Sequence, residues 1–503
     1  MTSNKELIDL DQLLKKSLKK SIKKKNYDLA LRLVELSAHL QYNYCFNESW
    51  YDKDLEDSLK QIADLHLPTQ IVTPDKDVVL FYDYFGYDYR GLTQQYLRAL
   101  QRLNKKIILV FENEDRHYKN EAILAEINDY ENKEIYYLEG QDRIEKSKCL
   151  LKIIASTKPE SILMHLIPWN TIAYMAFYKV KGTKRYQINL TDQAFWLGTD
   201  ITDINLGFRS YGLNLSEQYR NIPSNKNRLL PYYPILSKTS FQGFDFDTTG
   251  KKIIFSGGAL YKMLGNNLEF FETIQELLNV DENLIFILAG SGNTDSITKF
   301  IEDNNLKSRI YLIGDRYDLF EIMKRVDYYI ATFPFAGGLI TQIAAEAELP
   351  IFAYAHKDCQ YNDIKDLFYK TDDFKNSDNL NKLVEDFTKA YKIGERKISY
   401  KNAIVTEQEF AENLQKIFNN ENPMAFLEKR ENVSTSVITY NALTLESENL
   451  YNPSLQRTIN NYLSHWEKFN IFPDYRAEHY KNLFNENKIQ FVKTLCYQLI
   501  NKI

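Results

Sequence analysis

Apolar and polar positions along this chain change period several times. Up to about residue 70 the apolar ones fall at helical spacing: Leu10, Leu13, Leu14, Leu18 and Ile22, then Leu29, Leu33, Leu36 and Leu40. Residues 66–77 (HLPTQIVTPDKD) carry two prolines and read as a linker. Beyond them, short apolar runs take over: DVVLFYDYFG, KKIILVFEN, KEIYYLEG, SILMHLIP and RYQINL. These read as strands, and helical patterns such as LTQQYLRALQRL lie between most of them. Such alternation predicts a doubly wound α/β domain.

A second break, rich in Ser, Thr, Gly and Asp, falls at residues 237–250. The alternation then resumes with KIIFSGGALYK, FILAGSG, IYLIGD and YYIATFPFAGGLITQIAAEAELPIFAY. Several of these strands end in glycine, as a phosphate-binding edge requires, because backbone must approach the ligand and helix N-termini must stay open. The predicted organisation is a helical N-terminal extension (1–70), a first α/β domain (71–240), a second (241–423) and a helical tail (424–503). No solenoid-period repeat interrupts it.

Composition narrows the function classes. The 503 residues carry a formal net charge of −5, which gives no electrostatic case for nucleic acid as a partner. The 36 Tyr and 29 Phe, beside abundant Lys, Asn and Ile, are read as the mark of an AT-rich genome. Cys45, Cys149, Cys359 and Cys496 are scattered without a CxxC pair, which fits a reducing compartment and argues against a zinc site. No signal-like h-region opens the chain, and no run approaches the roughly 18 apolar residues of a spanning segment. A soluble, cytoplasmic protein is expected. Lys15, Lys16, Lys19, Lys20, Lys23, Lys24 and Lys25 crowd the first helix. They read either as a solvated face or as peripheral contact with the inner face of a membrane.

Three elements between Ile253 and Tyr354 carry a family resemblance. Ser256-Gly257-Gly258-Ala259 is followed by Tyr261-Lys262, Ala289-Gly290-Ser291-Gly292 ends the next strand, and Phe335-Ala336-Gly337-Gly338-Leu339 leads into a helix before Leu349-Pro350-Ile351. In order and spacing they resemble the GT-B glycosyltransferases, over about residues 75–420 of the chain. The resemblance implies two Rossmann-like domains in GT-B arrangement, with a nucleotide-sugar donor, most simply a UDP-sugar, held by the second. Independently of any family, Gly337 and Gly338 before a helix offer amide groups and a positive helix end to a diphosphate, and Lys262 adds a point charge. Tight strand-to-helix turns and a solvated lysine would account for the same residues. Gly314-Asp315-Arg316-Tyr317 ends another strand on the same edge, where the resemblance implies contact with the nucleobase through backbone groups and a side chain such as Asp315 or Tyr317; an Asp-initiated turn and helix cap would account for the same residues.

The chain departs from the family at one position. The acid that grips the ribose in many members, seven residues ahead of the proline, is Ile343 here, and the further acid of the paired-glutamate pattern is Phe335. Gln342 or Glu346 would replace it only with a shifted helix. No DxD-type metal motif stands in a matching context, and neither a metal nor a cofactor is expected.

In the first domain Asp192, within residues 189–198, is the candidate general base, with a turn or cap as its ordinary role. His165, near a strand's carboxyl end, is the second candidate, and a buried hydrogen-bonded histidine is its ordinary role. Residues 86–91 form the first loop of this domain, where the resemblance implies that the acceptor is received. Arg209 and Arg220 read as phosphate contacts or surface salt bridges. Together these features predict a hexosyl- or N-acetylhexosaminyltransferase acting on a cell-surface glycan, polymer, lipid-linked or protein acceptor. The alternatives are a non-catalytic GT-B-shaped partner subunit, an epimerase or a polymer phosphotransferase on the same scaffold.

Overall fold

The structure is a computed structural model and describes residues 3–84, 91–112, 120–368, 375–400, 403–423, 433–446 and 454–486. Two parallel sheets dominate it. The first holds seven strands in the spatial order Lys133–Tyr137, Lys106–Phe111, Asp75–Asp83, Pro159–His165, Lys184–Ile188, Ile204–Gly207 and Asn227–Leu229. The second holds six, in the order Ile310–Leu312, Leu284–Ala289, Lys252–Gly257, Tyr328–Ile330, Ile351–Tyr354 and Lys375–Ser377. In each, the first strand in sequence lies inside the sheet and the fourth is its neighbour on the far side, so the winding reverses between them. This is the Rossmann order, repeated twice in one chain. Near-continuous apolar runs such as Ile253–Phe255 and Leu284–Ala289 are buried on both faces, as a helix-covered parallel sheet demands.

The predicted N-terminal helices are Asn4–Lys23, Tyr27–Tyr44 and Lys53–His66. They are packed into the first domain rather than appended to it. Glu56, on the third, is buried and accepts hydrogen bonds from the N–H groups of Gly198, Thr199 and Asp200 (3.0, 3.0 and 2.9 Å) and from the Tyr174 hydroxyl. On the first helix Leu7, Leu14, Leu18 and Ile22 are buried and the helix lies against Tyr27–Tyr44. Its apolar face is therefore occupied. Lys15 pairs with Asp11 and Asp52, while Lys16, Lys19, Lys20, Lys23, Lys24 and Lys25 are exposed. No helix among the described residues is long and apolar enough to cross a membrane.

After the second sheet the chain returns to the first domain. Helix Glu407–Phe418 packs on helix Leu92–Arg102, with Phe410 meeting Tyr96 and Tyr233 at ring distances of 5.2 and 5.6 Å. Helix Val433–Glu446 then touches both domains: Ser436 Oγ accepts from Gln360 N (2.9 Å), and Thr444 Oγ1 donates to Tyr44 O (3.4 Å). Helices Leu455–Tyr462 and His465–Ile471 lie on the N-terminal helices, tied by the Arg32–Glu467 pair (2.6 Å). The pattern IQFVKTLCYQLI falls outside the described residues.

Candidate functional site

In the second sheet the winding reverses between Lys252–Gly257 and Tyr328–Ile330, and the glycine turns gather at the carboxyl ends of these strands. Gly258 N donates to Ala289 O (2.9 Å), Leu260 N to Ser291 O (2.9 Å) and Gly290 N to Gly314 O (2.8 Å), so three strand ends are stitched side by side. Gly290 has φ +150°, and a Cβ there would collide with the Gly258 carbonyl oxygen. Only glycine lets these two turns touch. Ser291, Gly314, Asp315 and Tyr317 are exposed along this rim.

Helix Gly338–Glu346 starts beside the same edge, and its N-cap, Gly337, supplies no side-chain acceptor. Thr332 Oγ1 donates to Phe335 O (2.7 Å), and Phe335 N donates to Lys262 O (3.3 Å). Lys262 Nζ donates to Ala336 O (3.1 Å), which sets its ammonium next to the helix N-terminus. Sequence residues 262 and 336–338 thus converge on one point, where a positive charge and a helix start coincide. The Phe335 ring lies among Tyr261, Tyr361 and Tyr440 at 6.2, 6.2 and 5.7 Å. Leu339 packs on the apolar core.

Two expectations on this side are corrected. Gln342 is buried, and its amide donates to Tyr232 O (3.1 Å) and Leu367 O (3.2 Å), which commits it to holding the helix against the linker. It does not face a ribose. Ile343 is half-buried beside it, and Glu346 lies exposed as the last residue of the helix, at the opposite end from the N-terminus beside Lys262. In the third turn, Arg316 forms a two-pronged pair with buried Asp318 (2.7 and 2.6 Å) and donates to Gly243 O (3.0 Å), so this turn also anchors the linker.

In the first sheet the reversal falls between Asp75–Asp83 and Pro159–His165, whose last residues, Asp83 and His165, are register partners. His165 Nδ1 lies 3.0 Å from Asp83 Oδ1, and Thr93 Oγ1 donates to Asp83 Oδ2 (3.0 Å). All three side chains are buried. An Nδ1–H directed at the carboxylate fixes the tautomer in which Nε2 carries the lone pair. Asp83 and Thr93 were not found from sequence. Their signal was present: the first and fourth strands end in Asp and His, and aligning their carboxyl ends brings the two together.

Asp192 is the main correction. Its carboxylate is held by Arg209 through Nε to Oδ2 (2.6 Å) and Nη2 to Oδ1 (2.9 Å), and both side chains are buried. Burial alone would disfavour the Arg209 charge, but Asp192 more than offsets this and raises the guanidinium above its usual range. Both carboxylate oxygens are engaged, so none is presented to an acceptor hydroxyl. The pair is an interdomain clamp, because Arg209 Nη1 also donates to Tyr361 O (2.9 Å), and Tyr211 N nearby donates to Asp366 Oδ2 (2.7 Å). Arg220 is neither a surface salt bridge nor a phosphate contact. Fully buried, it lies over Trp50 and Trp196 at 4.8 and 5.3 Å and donates to Asp192 O (2.8 Å) and Ala194 O. Of the acceptor loop expected at 86–91, only Gly91 lies within the described residues.

The linker between the sheets joins the two reversal points. A Cβ on Gly338 would meet the Tyr232 hydroxyl, Gln95 Nε2 donates to Tyr233 O, and Gly91 faces Ile235. Tyr232 to Ile235 therefore runs between the first turns of helices Leu92–Arg102 and Gly338–Glu346. Among the described residues, no cluster of three or more His, Cys, Asp or Glu side chains could hold a metal ion.

Two Rossmann-ordered sheets in series, with their reversal points set on either side of one linker, define a two-domain α/β protein in GT-B arrangement. No protein-family model and no curated protein matches the chain. Among solved structures it is similar to Anabaena HepE in complex with UDP and glucose (11% identity, 74% of this chain and 98% of that one, TM-score 0.46). It is also similar to a mutant of the Thermobaculum terrenum O-GlcNAc transferase (11%, 92% and 86%, 0.45) and to a putative UDP-N-acetylglucosamine 2-epimerase from Listeria monocytogenes (11%, 70% and 100%, 0.45). These are likenesses of chain path, and no residue role is taken from them.

Proposed function

We propose that the protein is a glycosyltransferase that moves a sugar from a nucleotide-sugar donor, a UDP-sugar in the first instance, to an acceptor hydroxyl. The observation that carries this reading is the meeting of Lys262 with the uncapped start of helix Gly338–Glu346 at the reversal point of the second sheet. That point, with the Gly258, Gly290 and Gly314 turns beside it, suits a diphosphate. In transfer, the bond from the sugar's anomeric carbon to the diphosphate oxygen breaks, and its electron pair leaves with the diphosphate. Lys262 and the helix amides stabilise that charge where it develops. The acceptor oxygen forms the new bond and gives its proton to His165 Nε2, with Asp83 holding the imidazole by its other nitrogen. Both members of this pair are buried, so this reading requires a motion that uncovers Nε2 to the acceptor before transfer.

The acceptor is proposed to be a glycan, polymer or protein of the cell surface, and the transferred group a hexose or N-acetylhexosamine. His165→Ala should lower transfer about 10²–10⁴-fold, the range for losing a general base, with nucleotide binding kept. Transfer and donor hydrolysis measured with a panel of UDP-sugars check this. Unchanged turnover would remove His165 from the reaction. A second reading, a partner subunit without turnover, is favoured by Ile343 and the committed Gln342 amide, which leave the ribose position without an acid. It predicts neither hydrolysis nor transfer, with UDP binding weak or lost.

A further inference from the structure

Four residues beyond His165, the turn after Pro159–His165 carries Trp169, half-buried at the carboxyl edge of the first sheet. This turn is firmly held. Leu197 N donates to Pro168 O (2.7 Å), and Asn170 caps the next helix by accepting from Ala173 N (2.8 Å). Asn170 Nδ2 also donates to the Glu112 carboxylate, just past strand Lys106–Phe111 two places along the sheet (3.0 Å). The indole lies flat on His39, with ring centres 3.8 Å apart and planes 13° apart, and Tyr42 meets it at 5.5 Å and 59°. Burial lowers the His39 pKa to about 4, so the bracing ring is neutral at ordinary pH. His39 and Tyr42 belong to helix Tyr27–Tyr44, so the N-terminal extension helps to build this edge.

A pyranose ring has a face of C–H groups and a rim of hydroxyls. Its C–H face packs on the electron-rich face of an indole, and the rim needs polar partners at the side. A half-buried tryptophan braced by His39 offers the indole, and the Glu112 carboxylate, held at Oε2 by Asn170 and Tyr82 but itself only half-buried, is the polar group this turn brings towards the rim. An acyl chain would instead need a long apolar groove. We propose that Trp169, braced by His39 and flanked by Tyr42, is a platform on which a pyranose ring of a glycan acceptor stacks. The word acceptor rests on the transferase reading above, whereas the binding of a saccharide does not.

Saturation-transfer NMR on the full chain tests this, with maltotriose and chitotriose as probes and a parallel titration with UDP. At least one trisaccharide should receive saturation at its ring C–H protons. Trp169→Ala should weaken that binding about tenfold, the scale of an aromatic contact, while Trp169→Phe keeps most of it and UDP binding is unchanged. If Trp169→Ala unfolds early, Tyr42→Ala carries the same comparison. The proposal is overturned if neither trisaccharide binds the wild type, if binding survives loss of the indole, or if only peptides or lipid vesicles bind at this edge. Trisaccharide binding that depends on Trp169 in a protein without UDP affinity would leave the platform standing and remove the transferase reading.

Discussion

A carboxylate serves as a base only if one of its oxygens reaches the acceptor, and Asp192 has both oxygens bound to Arg209. Buried ion pairs of this kind are costly to break, because the remaining charge is left without a partner. Asp192→Asn is therefore expected to destabilise the fold by about 3–5 kcal/mol and to impair transfer only through the loss of folded protein. Urea unfolding beside a transfer assay checks this. Wild-type stability with transfer abolished would return Asp192 to the chemistry. From sequence, Asp192 and His165 looked alike, each a lone polar residue after a strand. What separates them is the partner: an arginine from residue 209 for one, a carboxylate from the neighbouring strand for the other. Neither pairing follows from local spacing, since both depend on which strand ends are adjacent.

At the scale of elements, much of the architecture was legible. Apolar runs ending in glycine marked the strands, and the helical leucine spacing marked the N-terminal helices. The short strands Ile204–Gly207, Asn227–Leu229 and Lys375–Ser377 were not singled out, since three or four residues give too little periodicity. The glycine turns were located in sequence, but their cause was only partly visible. Gly290 is required by the Gly258 carbonyl and Gly338 by Tyr232, both contacts between distant segments. The docking of the tail was illegible, since it rests on an ion pair spanning most of the chain. Hydrogen bonding to Arg32 lowers the Glu467 pKa to about 2 from an ordinary 4.5, despite burial. A carboxylate held low in the folded state stabilises it above pH 4.5, and that contribution is lost as pH falls from 4.5 towards 2. Helix His465–Ile471 should therefore loosen over that window. Glu467→Gln should weaken its docking at neutral pH by about 1–2 kcal/mol, allowing for solvent at the pair. Hydrogen exchange of this helix reads the effect, and protection unchanged by the substitution would count against it.

Across the whole molecule, the two sheets are parts of one folded unit. A single apolar cluster includes Val79 and Phe81 of the first sheet, Ile253 and Phe255 of the second, and Phe410 of the returning helix. Phe410→Ala should cost about 3–5 kcal/mol and shift circular dichroism and tryptophan fluorescence transitions together in urea. Separation of the two transitions would show that the halves unfold independently. The central claim is narrower: the reversal point of the second sheet binds a nucleotide diphosphate through Lys262 and the start of helix Gly338–Glu346. Calorimetric titration of the full chain with UDP, beside GDP and CMP, tests it most directly. Saturable binding of UDP, weakened about tenfold or more in Lys262→Ala, is the predicted result. No binding of any of the three nucleotides, or UDP binding indifferent to Lys262, would contradict it.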